Sequence, residues 1–238
     1  MLNIFTKEFN LRTSDFACNK CIQPSAVLDL FQTVAGEHAN LLGCGFDDLI
    51  KKGLLWVVVK TKYEVIKQPE FYGAIKVKTW PLPASRISFQ REYLIENESG
   101  EPLIRGTSDW VVMDCVSRKL AFAKDIYPEM EFCNEKLFDG RLPRIPDFEA
   151  RNSGYTVIPK FSQIDRNNHL NNTKYLNFAL DSTDIKSNEE IVSVQIEFKH
   201  EVLKDTELNV YSVRCEDGFL CKGISDDEIK FTCKIETK

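Results

Sequence analysis

The segment Ile164-Asp165-Arg166-Asn167-Asn168-His169-Leu170-Asn171-Asn172-Thr173-Lys174-Tyr175 holds the densest chemistry in the 238 residues. One of three histidines, one acid and four amides fall within eight residues, directly before a helical pattern. Two readings fit. In the local one, Asn and Asp form a polar turn and Asn172 caps the helix through its side chain. In the chemical one, His169 transfers a proton near neutrality, while Asp165 and Asn167 orient the ring and place a water. The free N–H groups and positive dipole end of the helix would meet a developing oxyanion. A thioester suits such a site, because its leaving thiol has a pKa near ~8.5 and departs with little acid help. One base, one water and an oxyanion hole suffice, so no metal, cofactor or covalent nucleophile is called for.

The elements that must hold this segment are legible as periodicity. Val27, Leu30, Phe31, Val34, His38 and Leu41 recur at spacings of three and four, predicting a helix over 25–42 that stops at Gly43 and Gly45. Strands are predicted over 54–66, 75–80, 87–96 and 103–114, with a turn at Asn97-Glu98-Ser99-Gly100. Residues 124–153 carry Pro128, Pro143 and Pro146 and no sustained period. A short strand over 155–160, a polar loop over 161–172 and a helix over 173–182 follow. Strands then run over 191–202, 206–215, 219–225 and 228–236, with Asp217-Gly218 as a hairpin turn. The plan is helix-then-strands, twice. Lys62-Tyr63-Glu64-Val65-Ile66-Lys67 matches Lys199-His200-Glu201-Val202-Leu203-Lys204, each on the first long strand after its helix. A duplicated α+β module follows, each an antiparallel sheet wrapped around a helix: the hotdog arrangement. The expected domains are 1–130, a connection over 131–152, and 153–238.

Composition excludes several classes. Hydrophobic residues at 43% and charged residues at 28% exclude a disordered chain. The longest apolar run, Leu54 to Val59, is too short to span a bilayer, and the N-terminus lacks a signal or transit pattern. A cytoplasmic location is expected. The net charge of -5 disfavours sequence-independent nucleic-acid binding. Eight scattered cysteines read as reduced thiols, and Cys18-Asn19-Lys20-Cys21 has no second pair at zinc spacing.

These residues carry a resemblance. Asp165-x-Asn167-x-His169-x-Asn171-Asn172, then Lys174-Tyr175, resembles the signature of acyl-acyl carrier protein thioesterases. So does Glu197-Phe198-Lys199-His200-Glu201, where the family has an acid, an aromatic, two basic residues and a glutamate. In the first half, Trp56 opening a strand into Lys60-Thr61, Trp80, and Asp109-Trp110-Val111-Val112-Met113 are family-like. The resemblance spans most of residues 1–236. It implies an α+β fold of two tandem hotdog modules, a fused pseudo-dimer. It implies a catalytic set of Asp165, Asn167, His169 and Glu201, with Glu201 activating water and His169 and Asn167 binding the water or the carbonyl. Plant-type members place a Cys after the last Glu. Val202 stands there, so general-base hydrolysis is favoured over a covalent route.

The first half lacks such a segment before its helix, so Glu64 is expected to be without partners and the second half alone to be catalytic. The first half is expected to shape the acyl pocket, with Phe31, Val34, Leu41, Leu42 and Trp56 as lining candidates and Asn172 as a further substrate contact. His200 is expected on the strand face opposite Glu201, and His38 in the core. The implied partner is acyl carrier protein with its phosphopantetheine-linked chain, docked through local cations such as Lys160, Arg166, Lys174 and Lys199. Neither nucleic acid nor a membrane span is implied, and the chain is expected as a monomer or homodimer. A coenzyme A thioesterase, a non-catalytic acyl-binding module and a hotdog dehydratase are the alternatives.

Overall fold

The structure, a computed structural model, describes residues 3–122, 126–150 and 154–238. It divides into two compact units, Met1–Thr13 with Asp29–Arg141, and Ser14–Leu28 with Leu142–Lys238. The division passes through the first helix.

In chain order the first elements are β1 (Phe5–Asn10), α1 (Pro24–Leu41), α2 (Phe46–Lys51), β2 (Leu54–Val65), β3 (Ala74–Pro81), β4 (Phe89–Asn97) and β5 (Pro102–Asp114). Pairing is antiparallel throughout the first unit, in the order β1-β3-β4-β5-β2. The alternation read from the sequence places β2 to β5 within two residues of their ends. β1 and α2 went unseen: both are six residues long, too short for a periodic signal.

One face of α1 is buried against this sheet. Phe31 is stacked on Tyr93 at 4.2 Å and meets Tyr63 edge-on at 6.3 Å. Gly106 makes room for that ring, since a Cβ there would lie 2.3 Å from it. Val34 and His38 are fully buried on the same helix. His38 Nδ1 lies 3.1 Å from Arg91 Nη1, and its ring stacks on Phe5. Leu41, expected inside, is 63% exposed, because α1 ends there and the chain turns at Gly43.

The second unit holds β6 (Tyr155–Val157), α3 (Asn172–Asp181), β7 (Ile191–Phe198), β8 (Leu208–Cys215), β9 (Gly218–Ser225) and β10 (Glu228–Thr237). Its antiparallel order is β7-β10-β9-β8-β6. Tyr175, Leu176, Phe178 and Ala179 bury α3 against these strands. Gly223 repeats the Gly106 device: a Cβ there would lie 2.2 Å from the Phe231 ring. Each half is thus a hotdog module, and the fold is α+β with two of them in tandem. Among the described residues no helix is long and apolar enough to cross a membrane.

Candidate active site

The loop before α3 is built by backbone hydrogen bonds. Phe161–Gln163 form a 3-10 turn, and Ile164 and Leu170 form an antiparallel bridge. Inside it, Asp165 N–H donates to the His169 carbonyl (2.8 Å) and Asn168 N–H to the Asp165 carbonyl (3.1 Å). Asn168 takes the left-handed conformation (φ +62°), which Asn tolerates better than most residues. The Asp165 carboxylate accepts the backbone N–H of Asn167 (2.8 Å) and of His169 (3.3 Å). Asp165 therefore shapes the turn itself and holds His169 through its main chain.

His169 is directed at Glu201, with Nε2 3.2 Å from Oε2, and both side chains are partly open to solvent. Glu201 does not sit on a strand, as the sequence suggested. β7 ends at Phe198, because Lys199 N–H and His200 N–H both turn to the Lys230 carbonyl (2.9 and 3.2 Å) and the ladder stops. His200 is therefore an exposed residue beyond the strand, with no opposite face to point to. The chain from Glu201 to Leu203 runs beside the loop instead. Leu170 N–H donates to the Val202 carbonyl (2.8 Å), and His169 bridges Leu203.

The helix cap falls one residue earlier than expected. Asn171 is the N-cap: its side-chain oxygen accepts Thr173 N–H (2.9 Å) and the Thr173 hydroxyl (2.8 Å). Asn172 is the first helical residue, because Asn171 keeps the extended backbone a cap requires. Lys174 N–H goes to the Asn171 carbonyl. The first-turn N–H groups of Thr173 and Lys174 are thus engaged, and the side chains of the loop are better placed to meet an oxyanion than these are.

The structure brings together Asp165, His169 and Glu201, with Asn167 exposed at the tip of the same turn. Glu64, by contrast, has partners: Arg105 Nη2 and Nε reach its Oε2 at 2.6 and 2.9 Å, and Lys62 its Oε1 at 2.9 Å. Burial raises its pKa, but these bonds and charges outweigh it and hold the carboxyl below its ordinary value. Phe31 and Val34 are closed within the core of the first unit. Trp56 is half-buried; its indole N–H donates to the Cys44 carbonyl (2.8 Å) and it packs on Phe89 and Tyr127. Tyr127 in turn walls an open groove of about 780 Å³ with Pro83, Ala84, Arg86, Phe122 and Phe132. Among the described residues no group of three or more His, Cys, Asp and Glu is disposed to hold a metal ion.

One relationship escaped the sequence. Residues 13–24 form the same loop as 161–172. Phe16 and Ile22 bridge as Ile164 and Leu170 do. Ala17 N–H donates to the Cys21 carbonyl (2.8 Å), Lys20 N–H to Ala17 (2.9 Å), and Gln23 N–H to Asp15 (2.8 Å), as Asp165, Asn168 and Asn171 do in theirs. Lys20 is left-handed at φ +66°. Cys21 takes the place of His169, Asn19 that of Asn167, and Ala17 that of Asp165. Only Ser14 with Ser162 and Asn19 with Asn167 are identical, too few for a residue comparison to reveal the copy. The repeat that sequence did suggest is displaced: Lys62–Val65 lie on β2, whereas 199–204 lie past the end of β7.

Residues 2–130 match the family model for the acyl-ACP thioesterase N-terminal domain, and residues 148–238 that for the C-terminal domain. A chloroplastic palmitoyl-acyl carrier protein thioesterase of Gossypium hirsutum is 28% identical over 221 residues, covering 86% of this chain and 54% of that protein. A chloroplastic oleoyl-acyl carrier protein thioesterase 2 of Arabidopsis thaliana is 26% identical over 223 residues, covering 84% and 60%. The chain thus spans about half the length of the curated relatives it matches. An acyl-ACP thioesterase structure from Bacteroides thetaiotaomicron superposes with a TM-score of 0.90 at 22% identity, covering 99% of this chain and 98% of that one. A 12:0-ACP thioesterase from Umbellularia californica superposes with a TM-score of 0.88 at 20% identity, covering 100% and 98%. These likenesses show the fold.

Proposed function

The chain belongs to the acyl-ACP thioesterase family, and we propose that it hydrolyses the thioester of a fatty acyl chain carried on acyl carrier protein. The observation that carries this is the 3.2 Å approach of His169 Nε2 to Glu201 Oε2 at the head of α3. Relatives that match over most of this chain are named as thioesterases of palmitoyl- and oleoyl-acyl carrier protein.

In the proposed reaction Glu201 takes a proton from a water as its oxygen attacks the thioester carbonyl carbon. His169 and Asn167 hold the water and the carbonyl oxygen, on which negative charge collects. The tetrahedral intermediate collapses by breaking the carbon–sulfur bond. The sulfur leaves as a thiolate, which takes up the proton, and the products are a fatty acid and the carrier's free thiol. Asp165 acts through the backbone of the turn. No covalent step is included, since Val202 follows Glu201. The acyl carrier protein is proposed to dock near Lys160, Arg166, Lys174 and Lys199, where its acidic surface meets local cations. For the acyl chain, Trp56 and Asn172 are each proposed as contacts, while Phe31 and Val34 lie closed within the core of the first unit.

The test is release of fatty acid from a panel of acyl-acyl carrier proteins and matched acyl-coenzyme A esters, short to long. Release from the carrier-protein set, absent in Glu201→Ala, supports the proposal. A preference for coenzyme A esters would transfer the activity to that carrier. Binding of acyl chains with no hydrolysis of either set would leave an acyl-binding module and overturn it.

A further inference from the structure

Phe161 is 85% exposed, more than any other aromatic side chain among the described residues, and it opens the 3-10 turn of the candidate catalytic loop. It does not stand alone. Asp205 N–H donates to the Pro159 carbonyl (3.0 Å), which lays 158–161 beside 203–205. That brings in Ile158, 41% exposed, and Leu203, 49% exposed. Leu203 is bridged to His169 through the backbone, so this apolar surface adjoins the His169–Glu201 pair. Lys160 and Lys204 flank it. Both reach Asp205, at 2.8 and 2.7 Å, so two cations share one carboxylate and a positive excess remains. All of these residues belong to the second unit.

A single apolar side chain on a surface needs no explanation, but a cluster rimmed by charge marks a contact. Turnover of a carrier-bound thioester decides which contact. The arm can deliver its thioester to His169 and Glu201 only if the carrier's protein body rests on the surface around them. Charge steers an acidic body to that place. The hold comes from apolar side chains that lose water on contact, aromatic ones above all. We propose that Phe161, with Leu203 and Ile158, is the apolar anchor on which the protein body of the acyl carrier docks, Lys160 and Lys204 supplying its charged rim. This rests on the carrier-protein reading of the proposed function, and it names a determinant for it. Coenzyme A has the same phosphopantetheine arm and no protein body, so the anchor favours the carrier protein over coenzyme A.

The decisive variant is Phe161→Ser, which at so exposed a site leaves Tm near that of the wild type; Leu203→Ser is the second. The first readout is the dissociation constant of fluorescently labelled holo-acyl carrier protein, which has the arm and no acyl chain. It is expected to rise about 10-fold in Phe161→Ser, and to stay put in Val116→Ser, an exposed apolar residue of the first unit. The second readout is kcat/KM for one acyl group presented on the carrier protein and on coenzyme A. The ratio of the two is expected to fall about 10-fold in Phe161→Ser, through KM for the carrier substrate. Absent binding of the holo-carrier to the wild type, or an unchanged dissociation constant in both variants, overturns the proposal. So does an equal loss on both thioesters, which would put Phe161 on the path of the arm or the acyl chain. A wild-type dimer that Phe161→Ser splits, seen by sedimentation, would also overturn it and make the patch a contact between copies of the chain. Failure of the catalytic reading would appear separately, as full turnover in Glu201→Ala, and the binding comparison would still decide the anchor.

Discussion

Glu201 lies three residues beyond the end of its strand, yet its carboxylate stands 3.2 Å from His169. The pair is held by the backbone bond between Leu170 and Val202 rather than by a sheet. Glu201→Gln and His169→Ala are each expected to lower kcat at least 100-fold, since each removes a proton-transfer or positioning group, with Tm within a few degrees of wild type. Steady-state hydrolysis beside thermal denaturation checks this. Near-normal turnover in both variants would sink the site.

Asp165 serves geometry first. Its carboxylate accepts two backbone N–H groups in the turn. Asp165→Asn keeps an acceptor and is expected to retain more activity than Asp165→Ala, which leaves those N–H groups without their partner. The ratio of the two kcat values is the measurement. Equal losses would move the role of Asp165 from the turn to the chemistry.

Asn171, not Asn172, caps α3. Asn171→Ala is expected to cost about 1 kcal/mol, the ordinary worth of an N-cap, and Asn172→Ala much less. For a chain of this size that is about 2–4 °C in Tm, readable by calorimetry. The reverse order would contradict the cap assignment.

Stability in acid should depend on Glu64. Its folded-state pKa is lowered by Lys62 and Arg105 against the opposing push of burial. A lowered carboxylate contributes stability above its unfolded pKa of ~4.3 and loses it as pH falls through the folded value. Glu64→Gln is expected to cost about 1 kcal/mol at neutral pH, after allowance for solvent screening, and to flatten the acid limb. Urea denaturation from neutrality down to pH 3 would show parallel limbs if the ion pairs contribute nothing.

The thiols should divide by burial. Desolvation pushes Cys44 to about 11 and Cys221 to about 12, and raises Cys233 as well. Reactivity follows the thiolate, so these three should resist a thiol reagent at pH 8 until the chain unfolds. Cys18, which is exposed, should be modified first. Peptide mapping after timed alkylation gives the order.

Much of this was readable in advance, and the exceptions have physical causes. Alternation placed β4, β5, β8, β9 and β10, because one side of each strand packs on a helix. The candidate catalytic segment stands out by residue type. Periodicity could not show where β7 ends, since the stop comes from Lys199 and His200 sharing the Lys230 carbonyl. Nor could it show that Glu64 is neutralised, because Arg105 reaches it from a different strand. Leu41 kept the helical period but fell on the last turn, where nothing covers it.

The paired loops at 13–24 and 161–172 separate what the backbone asks from what the reaction asks. Lys20 and Asn168 share one demand, a left-handed turn, which glycine at either place would meet with less strain. Cys21 and His169 share a position and no duty. The chain therefore has two levels of mutational tolerance written on one template. Sites that shape the turn constrain both copies alike, whereas the side chains of the first copy answer to packing: Cys21 is buried, and the Asn19 amide donates to the Glu189 carbonyl.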